Sequence, residues 1–106
     1  MGLSLLAGCA NEKQQIFKEA EKDLEQGSYE YALDEFTTSV NNGVKPAVSY
    51  RGIGICQLRL GNYDDAITAF TSALGEEKVN KSMARDLYLY RATARLQAGY
   101  LDDAMA

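Results

Sequence analysis

The chain has 106 residues, 46% of them hydrophobic, with one proline, two cysteines and no histidine or tryptophan. That length allows one domain at most. Two cysteines give no disulfide framework and no metal-ligand spacing, and without histidine there is no imidazole base or His-type metal site. The net charge of −4 comes without any basic stripe, which makes nucleic acid a poor partner.

The first ten residues, Met1-Gly2-Leu3-Ser4-Leu5-Leu6-Ala7-Gly8-Cys9-Ala10, carry no charge, and the chain turns polar at Asn11. Such a break marks a processed segment rather than part of a fold. The tetrad Leu6-Ala7-Gly8-Cys9 resembles the lipobox of bacterial lipoprotein signal peptides. The resemblance implies a partial signal peptide over 1–8, lipid on the Cys9 thiol and a tether over 9–12. It also implies a lipid-anchored place on the extracytoplasmic side of a bacterial cell membrane or outer membrane. Such signals normally start with Lys or Arg and run longer, so either translation starts upstream of Met1 or the segment is an uncleaved apolar tail. A spanning helix would need roughly 20 apolar residues.

From about Glu12 to Gln26 the residues are good helix formers, with Ile16, Phe17, Ala20 and Leu24 on one face. Gly27-Ser28 predicts a tight turn. A second helix, about Tyr29 to Val40, presents Tyr29, Ala32, Leu33, Phe36 and Val40 at helical spacing. Asn41-Asn42-Gly43 ends it, and Pro46 opens the next, where a missing N–H costs little.

The third helix, about Ala47 to Leu60, holds Gly52 and Gly54 in its interior. Interior glycine costs up to about 1 kcal/mol against alanine, so close helix approach is the expected reason at Gly54. Cys56 falls in an apolar helix pattern and reads as a small packed residue. After Gly61-Asn62, the fourth helix, Tyr63 to Leu74, turns Ala66, Ile67, Phe70, Ala73 and Leu74 inward. A polar connector, Gly75 to Ser82, leads to a helix from near Met83 with Tyr88, Ala92 and Leu96. Gly99-Tyr100 then predicts another turn, with Asp102-Asp103 opening a last helix that stops about one turn in. The chain therefore reads as a fragment lacking residues at both ends.

Two of these stretches superpose after a shift of 34 residues: Gly27, Tyr29, Ala32, Leu33 and Phe36 map onto Gly61, Tyr63, Ala66, Ile67 and Phe70. A partial third copy carries Gly99, Leu101, Ala104 and Met105. A period of this length with a glycine turn and small residues at fixed offsets marks stacked helical hairpins. The segment Tyr50, Gly54, Gly61-Asn62-Tyr63-Asp64-Asp65-Ala66-Ile67, Phe70, Ala73-Leu74 resembles a tetratricopeptide repeat. The resemblance implies an all-α solenoid of antiparallel helix hairpins over 13–106, with units at about 13–46 and 47–80 and an incomplete one at 85–106. Departures are Ile16 for the bulky aromatic, Ser39 for the closing alanine and Leu101 for the turn tyrosine.

In that family, first-helix residues outside the packing pattern line a concave groove for peptides or partner helices. The resemblance places Phe17, Glu21, Arg51, Ile55, Arg59, Leu89 and Thr93 on the groove, with Gln14, Val48 and Asp86 at its edge. The family's best-known groove grips a partner's terminal carboxylate with Lys, Asn and Arg. This chain has Phe17, Glu21, Gly52, Asp86 and Tyr90 at those places, so that clamp is not expected.

Arg51 and Arg59 lie one above the other, two helical turns apart, and could hold an acidic segment. They could equally pair with surface acids. The remaining residues offer no catalytic constellation: the glycine turns lack phosphate-loop spacing, and Asp64-Asp65 are first-turn acids pointing about 100° apart. The expectation is a non-enzymatic scaffold for a protein or peptide partner, with no cofactor and no metal. Two alternatives stay open: a self-associating envelope-assembly module that uses no groove, or a soluble cytoplasmic repeat protein.

Overall fold

The structure, a computed structural model, describes the backbone of residues 2–105 and the side chains of residues 10–100. It is built of α1 (Gly2–Glu25), α2 (Tyr29–Asn41), α3 (Pro46–Arg59), α4 (Tyr63–Leu74) and α5 (Lys81–Met105). Neighbours in sequence pack side by side. In addition α1 reaches α3 and α3 reaches α5, whereas α2 and α4 do not meet among the described residues. The odd-numbered helices therefore form one continuous inner face and the even-numbered ones an outer face. The molecule measures 60 × 28 × 20 Å, as expected when each hairpin touches only its neighbours.

The turns follow from backbone chemistry. Gly27 and Gly61 have φ of +79° and +82°, a left-handed conformation that costs glycine little. At each, two backbone N–H groups fold back on the helix end: Gly27 N donates to Leu24 O and Ser28 N to Asp23 O, Gly61 N to Leu58 O and Asn62 N to Gln57 O. This double closure satisfies carbonyls that the helix end leaves unpaired. Pro46 occupies the first turn of α3, behind Lys45 with φ +41°. Asn80 caps α5, its Oδ1 accepting from Met83 N at 2.8 Å.

The core lies in two clusters on opposite sides of α3. One joins Phe17, Ala20, Ala32, Phe36, Val44 and Cys56, and the other Ile55, Ala66, Phe70, Ala73, Leu87 and Ala94. Both interior glycines of α3 are explained by this arrangement. A Cβ on Gly52 would lie 2.5 Å from the Phe36 ring, and one on Gly54 would overlap the Phe70 ring. Phe36 and Phe70 are fully buried, each removing roughly 2–3 kcal/mol worth of apolar surface from water. Ser39 replaces the expected alanine without leaving a buried donor unpaired, because its hydroxyl donates to Glu35 O at 2.9 Å.

The third unit departs from expectation. The turn predicted at Gly99-Tyr100 is absent, and α5 runs unbroken to Met105. Glycine permits a left-handed turn without requiring one, and a turn there would forfeit helical hydrogen bonds. Ala92, aligned with the tightly packed Gly54, is accordingly exposed. Upstream, α1 starts at Gly2 rather than near Glu12. The side chains of Cys9, Leu101, Asp102, Asp103, Ala104 and Met105 lie outside the described residues. No described helix is long and apolar enough to cross a membrane.

Candidate functional site: the inner face of the odd-numbered helices

At the centre of the inner face, Arg51 of α3 reaches across to α5. Its Nε donates to Asp86 Oδ2 at 2.6 Å, and its guanidinium lies 5.3 Å from the centre of the Tyr90 ring. Tyr90 in turn stacks on Phe70, with ring centres 5.4 Å apart and planes inclined by 19°. The charged head is thus fixed by an ion pair and an aromatic face, while Phe70 ties it to the packing of Gly54. Arg51 and Asp86 remain 30% and 41% exposed, and the two Nη groups of Arg51 make no hydrogen bond among the described residues. A groove of about 400 Å³ runs beside the pair, lined by Val48, Arg51, Asn80, Ser82, Met83 and Asp86.

The expected groove residues divide. Arg59, Leu89, Thr93, Glu21 and Gln14 are exposed, and Leu89 is 65% accessible. Thr93 spends its hydroxyl on Leu89 O at 3.0 Å. Arg59 makes no ion pair among the described residues. Phe17 and Ile55, by contrast, do not line a groove: they are 2% and 6% exposed and belong to the two core clusters. Phe17 packs edge-on against Phe36 with ring centres 6.0 Å apart, and Lys45 Nζ sits 5.1 Å above it. Small Ala20 and Ala32 bring α1 and α2 close enough to enclose that ring.

Sequence reasoning put Asp86 at the groove edge and missed its bond to Arg51. It also missed a cluster between α1 and α2, where carboxylate oxygens of Glu19, Asp23 and Glu35 lie within 4.8 Å of one another. Burial, then the neighbouring Asp23, Glu19 and Asp34, push the Glu35 carboxyl up to about 7. Its Oε1 is shut off from solvent without a hydrogen-bond partner. The i, i+4 spacing of Glu19 and Asp23 was a visible signal, but their meeting with Glu35 depends on how the hairpin closes. Burial also pushes the Cys56 thiol up to about 11, which leaves it unreactive.

The family model of the tetratricopeptide repeat matches residues 17–76 and again residues 51–106. The chain belongs to the tetratricopeptide repeat family. The two matches begin 34 residues apart, the same shift that superposes Gly27 on Gly61. No curated protein and no solved structure matches the chain. Tetratricopeptide repeats are protein-interaction scaffolds.

Proposed function

We propose that the inner face of α1, α3 and α5 holds an extended acidic segment of a protein partner. The observation that carries this reading is Arg51: its orientation is fixed by Asp86 and Tyr90, and its two Nη groups remain available beside an open groove. Paired N–H groups in a fixed plane suit a carboxylate. Arg59, two turns along α3, supplies a second cation, and Leu89 an exposed apolar contact. An incoming carboxylate shares Arg51 with Asp86, so binding is expected to be modest and salt-sensitive.

Selection from a random displayed-peptide library tests this directly. Wild type is expected to enrich acidic peptides, and the Arg51→Ala/Arg59→Ala variant is expected to lose them. Equal enrichment by both would refute the groove.

We also propose that the scaffold is held by lipid at Cys9 on the extracytoplasmic side of a bacterial membrane. The support is the tetrad Leu6-Ala7-Gly8-Cys9 after a leucine-rich run. Metabolic labelling with a fatty-acid probe should mark wild type and leave Cys9→Ser unmarked. Unchanged labelling would sink the anchor and favour a soluble repeat protein.

A further inference from the structure

The connectors that lead into α3 and α5 differ in length: the first covers 42–45 and the second 75–80. Between the longer connector and the start of α3 lies a cavity of about 530 Å³, a size usual for ligand pockets. Pro46, Ala47 and Val48 of α3 and Met83 of α5 supply its apolar walls. Val48 packs on one core cluster and Met83 on the other, so these walls are held in place. Two lysines, Lys45 and Lys78, and two glutamates, Glu76 and Glu77, also line the cavity. Their charges cancel, and the cavity selects no ion.

This cavity is continuous with the groove beside Arg51, because Val48 and Met83 line both. Helix register explains the continuity. Val48 lies three residues before Arg51 on α3, and Met83 lies three residues before Asp86 on α5. Positions at that spacing share a helix face. An apolar pair therefore stands one helical turn, about 5 Å, from the ion pair that fixes the guanidinium. In an extended segment, side chains two positions apart lie on the same side at about 7 Å. Adjacent ones point to opposite sides.

We infer that this cavity receives a bulky apolar side chain of the partner segment, two positions from the acid that meets Arg51. The inference rests on the acidic-segment reading and specifies its partner further. Charge complementarity holds the acid at Arg51, while the cancelled charges around the cavity leave the apolar residue there. The flexible thioether of Met83 lets the walls adapt to leucine, methionine or phenylalanine.

Two labelled Glu-rich peptides that differ at one central position, Leu in one and Ser in the other, test it by fluorescence anisotropy. Wild type should bind the Leu peptide about tenfold more tightly. Val48→Thr/Met83→Gln nearly keeps the shape of both side chains and makes the walls polar. With circular dichroism confirming its fold, it should bind both peptides as weakly as wild type binds the Ser peptide. Arg51→Ala/Arg59→Ala should weaken both. Independently of any variant's folding, the Met83 methyl signal of wild type should shift with the Leu peptide and stay in place with the Ser peptide. Equal wild-type affinity for the two peptides, or a Leu preference that survives in Val48→Thr/Met83→Gln, overturns the inference and leaves acid binding intact. Binding of both peptides unchanged in Arg51→Ala/Arg59→Ala refutes the acidic-segment reading, and the inference with it.

Discussion

Gly54 of α3 lies against the ring of Phe70 on α4, with room between them for a hydrogen and nothing larger. Gly52 stands in the same relation to Phe36 of α2. Helix α3 is therefore gripped between the aromatics of two neighbouring helices, and its glycines are packing residues although they weaken it as an isolated helix.

Alanine at either position should consequently destabilise the fold. The gain in helix propensity is up to about 1 kcal/mol, while forcing a methyl into a filled core costs typically 1–3 kcal/mol. At Gly54 the added Cβ would overlap the ring, so the upper part of that range should win. Urea unfolding followed by circular dichroism should show a lower midpoint for Gly54→Ala, with partial recovery in Gly54→Ala/Phe70→Leu.

Gly99→Ala should do the opposite. Gly99 lies within α5, and nothing stands within 4 Å of where its Cβ would be. Replacing it should stabilise the chain by roughly 0.5–1 kcal/mol, the usual gain on removing glycine from a helix interior. If a turn formed at this position instead, alanine would lower the unfolding midpoint.

The Arg51–Asp86 pair bridges α3 and α5 while both side chains remain partly in solvent. Its coupling energy should accordingly be small, about 0.5–1 kcal/mol in a double-mutant cycle with Arg51→Ala and Asp86→Ala. Raising the salt concentration should shrink it. Tyr90→Leu should weaken it as well, by removing the ring against which the guanidinium rests.

Glu35 gives the stability a defined pH dependence. Its carboxyl is raised from 4.5 to about 7 by burial and by the neighbouring acids, so the folded chain holds this proton more tightly than the unfolded chain. The stability that it contributes is complete below 4.5 and is lost as the pH rises through about 7. Glu35→Gln cannot ionise. The variant should therefore gain on wild type across that interval and be the more stable of the two above it, as read from unfolding midpoints at several pH values. Parallel midpoints at every pH would refute the account.

Much of the fold was legible in the sequence because its signals are local. A left-handed turn wants glycine, hence Gly27 and Gly61. A tight helix crossing wants a small residue opposite a large one, hence Gly54 with Phe70. The third unit was misread at Gly99 because a glycine allows a turn without enforcing one, and here the helix runs on through it.

The inner face was half legible. Arg59, Leu89 and Thr93 are exposed where the helical register put them, whereas Phe17 and Ile55 turned out to be core. Register assigns a helix face, but how deeply that face is enclosed depends on the neighbouring helices. Ala20, Ala32 and the side chain of Lys45 settle it for Phe17. Asp86 took a partner from α3, 35 residues away, and no local pattern announces that.

The central claim is that the inner face receives an acidic partner segment at Arg51. Titrating the isotope-labelled chain with a short Glu-rich peptide, and following its backbone amide signals, tests this most directly. The account predicts shifts gathered on α3 and α5 around Arg51, Arg59, Asp86 and Leu89, and abolished in Arg51→Ala/Arg59→Ala. Shifts confined to the outer helices α2 and α4, or shifts that persist unchanged in that variant, would contradict it.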